Sequence, residues 1–311
     1  MVIMIKYIIR RMASIIPVII GITVLIYFVM SFSPGDPATM MLGSAATPEA
    51  IDQLRSELGL DKPVLVQYLN YMKSLVKGDM GRSYITNNTV VSEIISRLPV
   101  TLKLAVLSIG LAVIIAIPIG IICGVKPNTL MDGLSMIFTL IGVSMPAFWL
   151  SLIMILIFSV SLKWLPAGGS DTMKHFILPA VTLSFGSMAI IARTMRSSLL
   201  EVIRQDYITT AKAKGVPKKM ITRKHALNNA LIPTVTVIGL EMGTNLGGAV
   251  LTETVFAMPG LGRLIVDSIK NQDTPLVLGG LITFAVFFSL VNLVVDILYA
   301  FIDPRIKSQY K

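Results

Sequence analysis

Asp206-Tyr-Ile-Thr-Thr-Ala-Lys-Ala-Lys-Gly-Val-Pro217 is the core of a basic, helix-prone stretch, residues 193–230, that lies between two long apolar segments. The stretch carries Arg193, Arg196, Arg204, Lys212, Lys214, Lys218, Lys219, Arg223 and Lys224 against only Glu201 and Asp206. Its pattern reads helix, glycine break, helix. Ala211 and Ala213 are small enough to let a helix lie close against another surface. Gly215 can take the left-handed conformation that ends one helix, and Pro217 suits the first turn of the next. Such a loop is built to project and dock.

Outward from this loop the chain is dominated by apolar sequence. Of its 311 residues 54% are hydrophobic and 14% charged, with a mean hydropathy of +0.78, too apolar for an ordinary soluble domain. Apolar runs occupy residues 14–32, 104–125, 134–162, 176–192, 231–251 and 277–301. About 20 residues suffice to cross a hydrocarbon core of about 30 Å. The expectation is an all-α membrane protein with about six transmembrane helices, in one membrane domain (residues 102–311) preceded by a first span (residues 1–32) and an outer helical segment (residues 33–101).

The net charge of +10 is distributed by side of the membrane. With the N-terminus inside, the inner segments hold Lys6, Arg10, Arg11, Lys126, the nine basic residues of the central loop, Arg305, Lys307 and Lys311. The short outer loops hold only Lys163, Lys174, Arg263 and Lys270. This is the positive-inside pattern and predicts both termini in the cytoplasm. A nucleic-acid protein would instead show a basic face with interleaved aromatics on a soluble domain. The first run exceeds the usual signal-peptide core and no small-x-small site follows Phe32, so it reads as a retained helix.

Residues 33–101 carry their own helix punctuation. Thr47 caps a helix with Pro48 at its first position, an Ile51, Leu54, Leu58 stripe, and Gly59 at its end. A second helix starts at Pro63 and ends near Gly78, with Val64, Tyr68, Met72 and Leu75 or Val76 on one side. A third, residues 90–98, places Val91, Ile94, Ile95 and Leu98 on a face suited to lie along the membrane before Pro99 leads into the next span. A lid packed on the spans is favoured over an independent binding module, because short helices bury little core.

Enzymatic constellations are missing. His175 and His225 are the only histidines and fall on opposite sides of the membrane. There is no His-Glu-x-x-His, Gly-x-Ser-x-Gly or Gly-x-x-x-x-Gly-Lys-Ser/Thr, and the lone Cys123 excludes an intrachain disulfide and a cysteine metal site. No metal site is expected.

The central loop resembles the EAA loop of the permease subunits of bacterial ABC importers. The Glu-Ala-Ala positions of that motif fall on Thr209, Thr210 and Ala211, of which only the last is kept. The fuller pattern, Asp-Tyr-x-x-Thr-Ala-Lys-Ala-Lys-Gly and then Arg-x-His-Ala-Leu-x-Asn-Ala-Leu-Ile-Pro, is similar to the first permease subunit of peptide and nickel importers. Ser33-Pro-Gly-Asp-Pro-Ala38, Leu58-Gly-Leu-Asp-Lys-Pro63, Val66-Gln-Tyr68, Gly78-Asp-Met-Gly-Arg-Ser83, Val255-Phe-Ala-Met-Pro-Gly-Leu-Gly-Arg-Leu264 and Asp303-Pro-Arg305 extend the resemblance over the whole chain.

The resemblance implies a type I ABC importer permease fold in the bacterial plasma (inner) membrane. Implied partners are a second, related permease subunit, two ABC ATPase subunits inside and a solute-binding protein outside. Within the loop, Asp206, Tyr207, Thr210, Ala211, Ala213, Lys214, Gly215 and Val216 would contact an ATPase subunit. The chain itself would carry no cofactor, and ATP would bind the partner ATPases. Dipeptides, oligopeptides, glutathione and metal chelates are cargoes within the resembled family.

Glu241 is the residue in a span that most needs a reason. A lipid-facing carboxylate near mid-membrane costs about 2.5 to 3.5 kcal/mol or more, so it faces a cavity or a polar partner. It reads either as a path-lining acid that meets amines or cations or as a hydrogen-bonded packing residue. Gly239, Gly243 and Gly247 form a close-approach stripe beside it, and Asn245 and Gly248, on other faces, are candidate path residues. Asp296, four residues after Asn292, is a candidate local partner for a basic residue of the central loop. Pro118, Pro146 and Pro179 can bend their helices. The alternative from another class is a standalone secondary transporter with Glu241 as its proton or ion site, which leaves the basic loop unexplained.

Overall fold

The computed structural model describes residues 2–32, 35–43 and 46–302, and every named element among them is a helix. In chain order these are α1 (Val2–Phe32), α2 (Pro37–Leu42), α3 (Pro48–Leu58), α4 (Val64–Val76) and α5 (Val90–Val125). Next come α6 (Leu130–Ser144), α7 (Ala147–Met154) with a π-helical continuation at Ile155–Ser161, and α8 (Lys174–Ile203). The short α9 (Asp206–Ala213) and α10 (Lys218–Met220) lead through a second π-helical segment, Ile221–Ala226, into α11 (Leu227–Val255). Two more complete the series, α12 (Leu261–Lys270) and α13 (Thr274–Ile302). Asp303-Pro-Arg305 and the side chain of Asp296 lie outside the described residues.

Among the described residues four helices are long and apolar enough to cross a bilayer: Arg11–Phe32, Val90–Val125, Lys174–Ile203 and Thr274–Val295. A fifth span exists if the bent pair Leu130–Ser144 and Ala147–Ser161 counts as one. The expected third span is therefore broken, with a 102° turn between its halves. Pro146, with no N–H to donate, precedes α7 in an extended conformation, while Met145 N closes the end of α6 on Ile141 O. The expected fifth span forms as α11, 29 residues long, but is not among the apolar helices, because Glu241, Asn245, three threonines and four glycines dilute it between residues 234 and 248.

The chain divides into two compact units: Met1–Tyr7, Leu102–Met258 and Leu290–Lys311 form the first, Ile8–Thr101 and Pro259–Ser289 the second. In the second, α3 forms as its punctuation requires. Thr47 Oγ1 accepts from Ala50 N at 3.3 Å, and Gly59 turns left-handed at φ 68° while Leu60 N reaches back to Arg55 O. Asp36 caps α2 through Thr39 N at 3.0 Å and is held by Arg55 at 3.2 Å. Residues 90–98 do not end at Pro99 but continue as α5. A proline is tolerated in such a helix where neighbouring groups satisfy the freed carbonyl. Val90, Ile94 and Leu98 pack on Leu261, Leu264 and Ile265 of α12, whereas Val91 and Ile95, expected on the same face, remain exposed.

In the first unit, α5 and α8 run parallel. Lys103 lies 4.4 Å from the ring centre of Phe176 near one end. Further along, Ala112 and Ala116 meet Met188, Ile191 and Ala192, and at the other end Gly120 and Gly124 lie against Met195 and Leu199. A Cβ on Gly120 would stand 2.6 Å from Met195 Cβ and 2.8 Å from Ala192 O, so only glycine permits this approach. Helix α6 packs antiparallel on α8, from Asp132 at Arg196 to Gly142 at Phe185 and Ala189, with Phe138 edge-on to Phe185.

Candidate coupling loop and intramembrane polar cluster

The basic loop is held by one buried anchor. Ile208 of α9 is fully buried among Met195 and Leu199 of α8, Ile221 and Ala226 of the π-helical segment, and Ala230 of α11. Its neighbours Asp206, Tyr207, Thr209 and Thr210 are exposed. Burying one isoleucine fully contributes about 1.5–3 kcal/mol, enough to orient an eight-residue helix too short to persist alone. Tyr207 Oη accepts from Asn229 Nδ2 at 2.7 Å and donates to His225 O at 3.4 Å, a second tie to the start of α11.

The glycine break has the expected form. Gly215 adopts φ +74°, Gly215 N donates to Lys212 O at 3.0 Å and Val216 N to Ala211 O at 3.2 Å. These are the paired bonds of a Schellman motif, and Ala211 and Val216 both pack against the Ile208 cluster, as that motif's hydrophobic contact requires. Space around Gly215 is free, with nothing within 4 Å of the point where a Cβ would stand, so its requirement is conformational. Lys212, Ala213, Lys214 and Gly215 are exposed, as are Arg193, Arg204, Lys219, Arg223 and Lys224.

Arg196 is the exception in the basic stretch. Its guanidinium makes a bidentate contact with Asp132 of α6, Nε to Oδ1 at 2.5 Å and Nη2 to Oδ2 at 2.7 Å. Asp132 also accepts from Asn128 N, so the turn after α5 and the approach to the basic loop are joined at one end of α8.

Helices α8 and α11 run antiparallel, with Thr234 Oγ1 on Met195 Sδ and Gly248 beside Leu183. Between these contacts sits a polar cluster. Ser187 Oγ lies 2.7 Å from Glu241 Oε2 and 3.1 Å from Asn245 Oδ1. Ser187 and Asn245 are buried and Glu241 is half-buried. Asn245 Nδ2 is buried without a partner. Glu241 thus has a polar partner in the protein, which removes the cost of lipid exposure. Ser187 went unread in the sequence, because a serine in an apolar helix gives no periodic signal; only the depth of Glu241 hinted that such a partner must exist. In the glycine stripe, Gly239 is pressed against Val295 and Gly243 is buried, but Gly247 is exposed with open space around it. Among the described residues no cluster of His, Cys, Asp or Glu has the arrangement of a metal site.

Residues 116–308 match the family described as binding-protein-dependent transport system inner membrane component, and residues 4–105 its N-terminal companion. The chain belongs to this family. It is a multi-pass membrane permease, a transport component and not an enzyme. The chain is 44% identical to the dipeptide transport system permease protein DppB of Alkalihalophilus pseudofirmus, over 98% of this chain and 100% of that protein. It is 42% identical to the glutathione transport system permease protein GsiC of Escherichia coli, over 98% and 99%. Among solved structures, the MetNI methionine ABC transporter in an inward-facing conformation superimposes with a TM-score of 0.56 at 22% identity, covering 68% of this chain and 96% of that one. An amino acid ABC transporter with histidines gives 0.51 at 17%, over 69% and 94%. These two likenesses establish the permease fold.

Proposed function

We propose that this chain lines the translocation path of an ATP-driven importer for di- and oligopeptides, together with a second, related permease subunit. Two ATPase subunits bind and hydrolyse ATP on the cytoplasmic side, and a solute-binding protein delivers cargo on the other. The observation that carries this reading is α9: a short helix with exposed basic and small residues, tied by Ile208 to both α8 and α11. Closure of the ATPases on ATP moves α9, and the buried anchor passes that motion to the two helices whose polar faces meet at Ser187 and Glu241. Peptide cargo rests on the relatives, whose names specify a dipeptide and glutathione, both molecules with a free amino group and amide bonds.

The test is uptake of radiolabelled dialanine by the complete transporter in vesicles, first with ATP and no ion gradient, then with a gradient and no ATP. Uptake with ATP alone is expected. Gradient-driven uptake abolished by Glu241→Gln would replace this reading with that of a secondary transporter. The inside location of the basic loop is tested separately, by single cysteines in a Cys123→Ser background: Asn87→Cys should react with an impermeant thiol reagent from outside, and Lys219→Cys should not.

A further inference from the structure

The Ser187, Glu241 and Asn245 cluster is incomplete as it stands. A hydroxyl carries one proton, so Ser187 Oγ can donate to Glu241 Oε2 or to Asn245 Oδ1 but not to both. Asn245 Nδ2 has no partner in its buried position. Turning the amide over lets Nδ2 donate to Ser187 but orphans Oδ1 in the same place, so in either orientation one amide atom is unpaired. No basic side chain pairs with the Glu241 carboxylate among the described residues. A proton on Glu241 would quench its charge yet still leave Asn245 Nδ2 without an acceptor.

A group that brings a positive donor and a neighbouring acceptor together would complete the cluster and offset the Glu241 charge as well. The amino-terminal residue of a peptide has this form: an ammonium and, one carbon away, a carbonyl oxygen. We propose that Ser187, Glu241 and Asn245 bind the amino-terminal residue of the cargo, the ammonium donating to Glu241 and Asn245 Oδ1 and the adjacent carbonyl accepting from Asn245 Nδ2. On α11, Leu240, Thr244, Gly247 and Leu251 form an exposed stripe at helical spacing next to Glu241, and Gly247 has open space where a side chain would stand. Cargo moving along that stripe meets the carboxylate first. An ammonium in a dehydrated site is held far more strongly by a carboxylate than in water, so the contact is selective and, being only one ion pair, reversible.

The proposal rests on the peptide-importer reading, and its test separates the two. Complete transporter in nanodiscs, without binding protein or nucleotide, is titrated with radiolabelled dialanine. Saturable binding is expected, displaced by alaninamide, which keeps the ammonium and its neighbouring carbonyl, but not by N-acetyl-dialanine or propylamine. Glu241→Gln and Asn245→Leu should each raise Kd by about tenfold or more. Absence of saturable binding, equal displacement by N-acetyl-dialanine, or unchanged Kd in a variant with wild-type melting temperature overturns the site. The ligand series on the wild-type protein decides even if a variant fails to assemble. ATP-driven uptake with the binding protein is measured on the same preparation. Uptake present with a flat ligand series overturns the site alone, and loss of ATP-driven uptake overturns the importer reading.

Discussion

Arg196 of α8 and Asp132 of α6 form a bidentate ion pair in which the aspartate side chain is 4% exposed and the arginine side chain 20%. Two parallel hydrogen bonds at 2.5 and 2.7 Å fix both planes, a geometry that lysine cannot reproduce. Removing one partner leaves a buried charge with nothing to offset its desolvation. Asp132→Ala is expected to destabilise the protein by about 2–3 kcal/mol, somewhat less than for a fully buried pair because Arg196 keeps some contact with solvent. Arg196→Lys should recover only part of the loss and the exchange Asp132→Arg with Arg196→Asp more, read as melting temperature in detergent. Equal stability of Asp132→Ala and wild type would show the pair to be incidental.

Gly215 is required for its backbone angle and not for space. Gly215→Ala is therefore expected to cost about 1–2 kcal/mol in the loop, Gly215→Asn less, and Gly215→Pro more, since proline cannot reach φ +74° and loses the N–H that bonds Lys212 O. Transport and co-purification with the ATPases should fall in the same order. Wild-type uptake by Gly215→Pro would exclude this turn from coupling.

The α5–α8 contact gives a matched pair of glycine substitutions. Gly120→Ala drives a methyl group into Met195 and the Ala192 carbonyl and should destabilise by about 1–3 kcal/mol. Gly110→Ala on the same helix meets nothing within 4 Å and should be neutral or stabilising by about 0.5–1 kcal/mol. Melting temperatures in the opposite order would reject the parallel packing described.

Asp36 gives a pH signature outside the membrane. Burial raises its carboxyl pKa, but hydrogen bonds from Thr39 and Arg55 and the charge of Arg55 outweigh that and hold it below the usual carboxylate value. A group lowered on folding stabilises above its unfolded value, about 3.9, and that contribution is lost as pH falls through the folded value. Hydrogen exchange at Thr39 N, corrected for intrinsic rate, should lose protection below about pH 4 in the wild type and show no such step in Asp36→Asn.

What could be read from sequence was local. Thr47, Pro48 and Gly59 define α3 because capping needs only neighbours along the chain, and Gly215 ends α9 for the same reason. Apolar length identified the first span and those at α5, α8 and α13. What escaped depended on partners distant in sequence. Asp132 lies between two apolar runs and nothing near it along the chain marks its pairing with Arg196, 64 positions away. Pro99 signalled a helix end, yet Thr101 Oγ1 nearby accepts from Leu261 N and the helix runs through. At Pro146 the same residue type coincided with a sharp turn. Local sequence does not decide between these two outcomes, because a proline that breaks one helix is carried through another when tertiary packing holds the helix together.

The π-helical segment at Ile221–Ala226 acts as a phase setter between α9 and α11. Each residue of an ordinary helix advances the chain by about 100°, and a wider turn absorbs an extra residue without rotating the helix beyond it by that amount. The angle between the Ile208 anchor and the Glu241 face of α11 is therefore stored in a residue count, not in any one side chain. Substitutions at exposed Arg223 or Lys224 leave that count intact, and loss of one residue there would leave an ordinary α-helical turn with Glu241 still facing Ser187. Insertion of one residue into the regular helix between this turn and Glu241 would instead swing Glu241 about 100° away from Ser187 with every contact residue still present. The wide turn can give up a residue, but the helix beyond it cannot take one in without losing the polar cluster.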